Sequence, residues 1–281
     1  MKKFFQIVGI ITLMVGSFVY TEKVGTTAKL NDTLLTEIKS KKDGYKENAI
    51  EPIINDDTII PGVNGKEVDT EKSYEAMSKI GYFDDKLLVY KPLEVENTLD
   101  KNKDKYVING NNTKLDITLL FKVSNNDDIT YIIKLLDQKN IKATFFIESK
   151  YLEKHHNQII KLVQNGHTVG NLSNNEDYED SDFVWMKTIL TNIGNQNYNY
   201  CYTEKPNKKI LKICDIQNSI TIMPQIIIKN KPYLNLKKTI LPGAIISLEV
   251  NNELNSEIET IINYIKAKGY NIKSLEELLK E

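Results

Sequence analysis

From Leu115 to the end of the chain, short apolar runs bounded by turn residues alternate with longer stretches of helical period. The runs at residues 115–121, 143–147, 168–170, 198–202, 219–222, 225–228 and 244–248 have the length and β-branched or aromatic content of buried strands. Between them, Ile129, Ile132, Ile133, Leu135 and Leu136 fall on one stripe of a helix. Ile159, Ile160, Leu162 and Val163 make a second stripe that ends at Gly166, and Ile258, Ile261, Ile262 and Ile265 make a last one that stops at Gly269. Strands alternating with helices predict an α/β chain built from β-α units around a parallel sheet, and seven strands suit a barrel better than an open sheet.

Upstream of Leu115 the pattern is weaker. Residues 24–57 are mostly polar without sustained period and read as a stalk. Residues 58–112 read as a small appended α+β module: a turn-rich entry through Pro61 and Gly62, a short helix over 70–80 ended by Gly81, a strand over 87–90, a charged connector at 101–105 and a further strand at 106–108. The predicted main domain therefore covers residues 113–281. At the start, Met1-Lys2-Lys3 precedes an uncharged stretch from Phe4 to Tyr20. Its length lies between a signal peptide core and a spanning helix, and the bulky Phe18-Val19-Tyr20 before Thr21 is a poor cleavage site, so residues 1–23 read as an uncleaved signal anchor. The two lysines keep the N-terminus inside and place the rest outside the cell; cleavage would instead release the chain.

Of 281 residues, 37 are basic and 38 acidic, so neither a nucleic-acid footprint nor a polybasic lipid patch is present. Every basic side chain is lysine, which removes the bidentate guanidinium fork. Cys201 and Cys214 could pair outside the cell, but two cysteines make no disulfide framework in a chain this long, and free buried thiols are the favoured reading.

Several segments carry a family likeness. Lys142-Ala143-Thr144-Phe145-Phe146-Ile147, the Tyr151-Leu152-Glu153 that follows, and the run from Leu162 through Asn165-Gly166-His167-Thr168-Val169-Gly170-Asn171 resemble the polysaccharide deacetylases of carbohydrate esterase family four. Leu241-Pro242-Gly243-Ala244-Ile245-Ile246-Ser247-Leu248 and the stretch from Ile262 to Leu279 agree in order and spacing with later segments of that family. The resemblance covers about residues 115–281 and implies a distorted (β/α)7 barrel with its chemistry at the strand C-termini. It also implies a divalent metal held by one aspartate and two histidines, a second aspartate as base and a late histidine as acid.

Residue by residue, those groups are missing. The two aspartates that would end the first strand fall on Lys122 and Val123, the two metal histidines on Leu172 and Glu176, the arginine motif near Cys201, and the acid histidine on Glu249. An ammonium has no lone pair to offer a metal, and valine and leucine have no polar atom. No cofactor is therefore expected. Lys122, Glu176 and Glu249 would form an ion pair in which lysine supplies the missing positive charge, against the plainer reading of three solvated side chains.

The remaining candidates have plainer readings. His155 and His156 are adjacent on a predicted helix and point in different directions, so they read as solvated; His167 reads as packed and hydrogen-bonded. The acidic run from Glu176 to Asp182 reads as a solvated loop rather than a calcium site, and Asp127 as the cap of the helix that starts near Ile129. Tyr198, Tyr200 and Tyr202 share one strand face and, like Trp185, read as core before sugar platform. Together these readings make the chain a non-catalytic, membrane-tethered envelope protein that binds a cell-wall glycan or an envelope protein. The alternative is an active de-N-acetylase of peptidoglycan or chitooligosaccharide, with zinc or another divalent metal on rearranged carboxylates of Asp127, Asp128, Glu176 or Glu249. A third is an envelope-assembly component that works through residues 58–112.

Overall fold

The computed structural model describes Met14, Val15, Ser17 and residues 33–173, 177–194 and 200–281. In chain order its elements begin with α1 (Thr33–Lys41), β1 (Ile53–Asn55), β2 (Thr58–Ile60), β3 (Gly65–Val68), α2 (Thr70–Ser78), β4 (Tyr90–Leu93) and β5 (Tyr106–Val107). They continue with β6 (Asp116–Val123), α3 (Thr130–Gln138), β7 (Thr144–Glu148), α4 (Ser149–Lys154), α5 (His156–Gln164), β8 (Thr168–Ser173) and α6 (Asp180–Asn192). The last are β9 (Tyr200–Tyr202), α7 (Lys208–Ile216), β10 (Ile220–Ile222), β11 (Ile226–Ile228), α8 (Pro232–Thr239), β12 (Ile245–Glu249), α9 (Asn252–Ala267), β13 (Asn271–Lys273) and α10 (Leu275–Leu279).

The chain divides into two compact units whose limits differ from those expected. Within the first, residues 33–49 join 64–94: α1 and α2 pack their apolar faces together with the antiparallel β3–β4 pair around Leu34, Ile38, Val68, Met77 and Leu88. The stalk expected over residues 24–57 is corrected here, because Leu34, Leu35 and Ile38 form a buried stripe too short to stand out among lysines. The expected module over 58–112 is divided as well, since residues 50–63 and 95–112 belong to the second unit. The strand expected over 87–90 starts at Tyr90. The anchor expected between Phe4 and Tyr20 falls almost wholly outside the described residues. Among the described residues no helix is long and apolar enough to cross a membrane.

The second unit contains all seven strands expected after Leu115, in a sheet ordered β1-β2-β5-β10-β9-β8-β7-β6-β12-β11 with β13 also beside β6. From β5 to β11 every pairing is parallel, as short strands joined by helices require. The closed seven-stranded barrel is corrected to a curled sheet with two edges, β1 and β11. The curl is evident from contacts across it. β9 and β12 are four strand positions apart, roughly 19 Å in a flat sheet, yet the Tyr202 hydroxyl is 2.8 Å from Ser247 Oγ.

Curling gives the sheet an inner and an outer core. Strand alternation sends Leu120, Phe146, Leu172, Tyr202 and Ile245 inward, where Leu275, Leu278 and Leu279 of α10 join them. Phe121, Val123, Phe145 and Ile147 point outward under the helices, among them Ile258, Ile261, Ile262 and Ile265 of α9. Each such side chain, fully buried, contributes about 1.5–3 kcal/mol. Gly170 is required by this inner packing, because a Cβ there would lie 2.3 Å from the Phe146 ring.

His167 fills a structural role as read from sequence. The Ala143 amide donates to its Nδ1 (3.3 Å) and its Nε2 faces Asp137 (3.1 Å), an arrangement that needs the neutral ring with its proton on Nε2. Burial lowers its pKa and outweighs the opposing effect of Asp137.

Between β8 and β9 only Asn171 and Cys201 pair in register. Two other contacts bind that seam. The buried Tyr178 hydroxyl donates to the Asn171 carbonyl (2.5 Å) and accepts from the Tyr202 amide (3.0 Å). Cys201 and Cys214 form a disulfide with Cα atoms 6.4 Å apart, which corrects the expectation of free thiols. The reason is local: α7 follows β9 directly and packs back on it, so the two sulfurs meet in a cluster with Tyr178, Phe183 and Ile210. Replacing both cysteines by serine is expected to lower stability by about 3 kcal/mol, the loop-closure value for a short loop, in urea denaturation. The unreduced native chain, once denatured, should show no free thiol.

Candidate functional site

The strand C-termini form the mouth of the curled sheet, and β6, β9, β11 and β12 present its ionised groups. Lys122, next to last in β6, points inward by alternation and reaches Glu204 Oε1 at 2.9 Å. Glu204 stands two residues beyond β9, and its other oxygen accepts from Lys229, just past β11, at 2.5 Å. One carboxylate beyond β9 thus joins two ammonium groups from β6 and β11, strands on the other side of the sheet's β8 and β7. The Lys122 and Glu204 side chains are only 12% and 20% exposed, so water screens this pair less than a surface pair. The Lys122 ammonium also lies 5.7 Å from the centre of the Tyr202 ring.

Burial pushes the Glu204 carboxyl upward, but the hydrogen bonds and charges of Lys229 and Lys122 outweigh it and hold the group below its ordinary range. In the loop after β6, burial raises Asp127, and the nearby Glu148 and Glu249 carboxylates add to that, against the Ser124 amide that donates to it.

The other family positions are dispersed. Val123 is buried on the outer face among the helices, away from the mouth, and Leu172 is buried in the inner core. Cys201 is locked in its disulfide. Glu249, the last residue of β12, is the register partner of Lys122. Glu176 and Tyr198 lie outside the described residues. Among the described residues, no three His, Cys, Asp or Glu side chains are grouped so as to hold a metal ion.

Among the described residues Lys122 pairs with Glu204, a carboxylate outside the expected Lys122, Glu176 and Glu249 set, of which Glu176 lies outside the described residues. Glu204 lies in the segment where the family's arginine motif is expected, and neither Glu204 nor Lys229 stands at an expected catalytic position. The available signal was a charged residue one or two positions past each predicted strand end, where side chains line a mouth.

Asp127 does not cap α3. It closes the preceding loop on the Ser124 amide at 2.6 Å, and Asp128 accepts from Thr130 at the helix start at 2.9 Å. Asp180 and Asp182 of the acidic run sit in the first turn of α6, where the helix dipole favours them. Tyr200 and Tyr202 are core, whereas Trp185 is exposed on α6. His156 is exposed, while His155 is half-buried and stacks on Tyr151 with ring centres 4.3 Å apart.

A curled, mostly parallel sheet under helices, with its mouth at the strand ends, is the architecture of the polysaccharide deacetylases. Residues 109–232 match the family model described as polysaccharide deacetylase, and the chain is similar to a degenerate member of that family. Among individual proteins, it is 27% identical over 242 residues to the uncharacterized protein YlxY of Bacillus subtilis (strain 168), covering 79% of this chain and 75% of that one. Its fold is shared with wild-type BA3943, a CE4 family pseudoenzyme from Bacillus anthracis, at 23% identity and a TM-score of 0.67, over 89% of this chain and 96% of that one. It is also shared with PdaA, a family 4 carbohydrate esterase of Bacillus subtilis, at 20% identity and a TM-score of 0.55, over 63% and 86% of the two chains.

The ion pairs at the mouth predict an acid sensitivity. Because the folded Glu204 carboxyl titrates below its unfolded counterpart, the unfolded chain takes up the proton first as pH falls. The stabilisation is full above the ordinary value of 4.5 and is lost as pH drops through the folded pKa. Glu204→Gln should cost about 2 kcal/mol at neutral pH, less than a fully buried pair because both groups keep some exposure. The variant should also lose stability less steeply than the native chain below that pH, as read by urea denaturation across a pH series.

Proposed function

We propose that this chain is a non-catalytic deacetylase-type protein that is tethered to the outer face of the cell membrane and holds a cell-wall glycan or an envelope protein. The observation that carries this reading is the Lys122–Glu204–Lys229 set. Where active relatives would place a metal and its water, these residues put fixed positive charge already satisfied by a carboxylate. A divalent cation there would be repelled by two ammonium groups, and its hydrolytic water would lack a base.

Two further features support the location. The chain carries an apolar stretch from Phe4 to Tyr20 behind two lysines. The Cys201–Cys214 disulfide suits an oxidising compartment. The description of BA3943 as a pseudoenzyme supports the non-catalytic reading, and a BA3943 mutant is described as having restored enzymatic activity.

The test is acetate release from tetra-N-acetylchitotetraose and from acetylated peptidoglycan with zinc, manganese or cobalt present, alongside metal content by mass spectrometry. No acetate above the enzyme-free blank and less than a tenth of an equivalent of metal are expected. Turnover, or one metal per chain, would overturn the reading in favour of the de-N-acetylase. A restoration attempt should also fail in a specific way. Val123→Asp buries a carboxylate under the helix layer and should destabilise the fold by several kcal/mol, seen as a large drop in the urea midpoint.

A further inference from the structure

The second unit carries a cleft that the mouth does not use. It has a volume of about 600 Å³ and is lined by the loop between β6 and α3 together with α4 and α5. That volume falls among ordinary small-molecule sites. The cleft exists because α4 and α5 are broken at His155, whose backbone is non-helical (φ −118°, ψ 29°) and whose ring stacks on Tyr151 beside the opening.

One wall is a chain of fixed hydrogen bonds. The Tyr151 hydroxyl donates to Gln158 Oε1 (3.0 Å), and Gln158 Nε2 donates to Thr130 Oγ1 (3.3 Å). The Thr130 amide in turn donates to Asp128 Oδ1 (2.9 Å). Such a chain orients each member before any ligand arrives, so less ordering remains to be done on binding. It ends on the exposed carboxylate of Asp128, which the Thr130 side chain also holds and whose remaining lone pairs face solvent. Asn125 adds a buried carbonyl oxygen, Oδ1, that has no hydrogen-bond partner. The lining carries two carboxylates, Asp127 and Asp128, and two ammonium groups, Lys154 and Lys161.

A neutral ligand rich in hydroxyl and amide groups matches this lining better than an anion, a cation or an apolar molecule. Adjacent hydroxyls would donate to Asp128, an acetamido N–H would suit a carboxamide oxygen, and a flat ring face would suit His155.

We propose that this cleft, whose lining includes none of Lys122, Glu204 and Lys229, is an N-acetylhexosamine-binding site. The choice of ligand class rests on the glycan-holding reading above, whereas the place is argued from the cleft alone.

Tetra-N-acetylchitotetraose titrated into the full-length chain by calorimetry, with the His155 ring protons followed by NMR, tests it. The native chain should bind and the His155 resonances should move. Asp128→Asn, an exposed and nearly isosteric change that should leave folding intact, and Gln158→Ala should each weaken binding about tenfold or more, as loss of a hydrogen bond to a charged or oriented group does. Lys229→Met, at the mouth, should bind within about twofold of native. If the native chain binds while Asp128→Asn and Gln158→Ala bind equally well and the His155 resonances stay fixed, the cleft is overturned and the glycan reading stands. If the native chain does not bind the tetrasaccharide, the cleft and the glycan reading fall together.

Discussion

A lysine ammonium among the ends of largely apolar strands must find a carboxylate or be expelled, because an uncompensated charge at partial burial costs several kcal/mol. Lys122 finds Glu204, and Glu204 is held in turn by Lys229. This constraint sets the mouth's geometry. The chains beyond β6, β9 and β11 must converge for one carboxylate to serve two ammonium groups, and they do so only because the sheet is curled. It sets the electrostatics too, since the carboxylate is kept ionised and both lysines keep a partner.

What supports that arrangement is mostly behind the mouth. β9 is short and shares one register pair with β8, so its position depends on Tyr178, which bridges the two strands, and on the disulfide to α7. The Tyr202 ring then packs on Phe146 inside the sheet, with its hydroxyl on Ser247. Two positions that the family likeness marks as site positions are part of this scaffold: Leu172, expected in place of a metal histidine, completes the inner core, and Cys201, near the expected arginine motif, the seam. Chemistry could not be recovered at Val123 or Leu172 without placing charge or imidazole in space now filled by hydrocarbon.

Periodicity made the seven strands, the stripes of α3, α5 and α9 and the glycine stops legible, because those patterns reflect burial on one or both faces of a regular element. The likeness to the family located the vacant catalytic positions. Four things were not legible. The sheet's failure to close depends on which strands meet, which no single strand encodes. The helix α1 buries only Leu34, Leu35 and Ile38 among polar neighbours, too little signal for a window average. The partner of Lys122 depends on side chains beyond β9 and β11 meeting across the curl, a contact between residues 82 positions apart. Two cysteines 13 residues apart were read as thiols because spacing alone does not show that a strand and the following helix fold back on each other.

In the proposed function, a lysine and its carboxylate hold the place that a metal takes in active relatives. Diffraction from crystals of the chain grown with excess zinc, collected on both sides of the zinc absorption edge, tests this most directly. The account predicts no anomalous peak at the strand ends and a Lys122 ammonium within hydrogen-bond distance of Glu204. A zinc peak bound by side chains of the mouth, with Lys122 turned away, would contradict it.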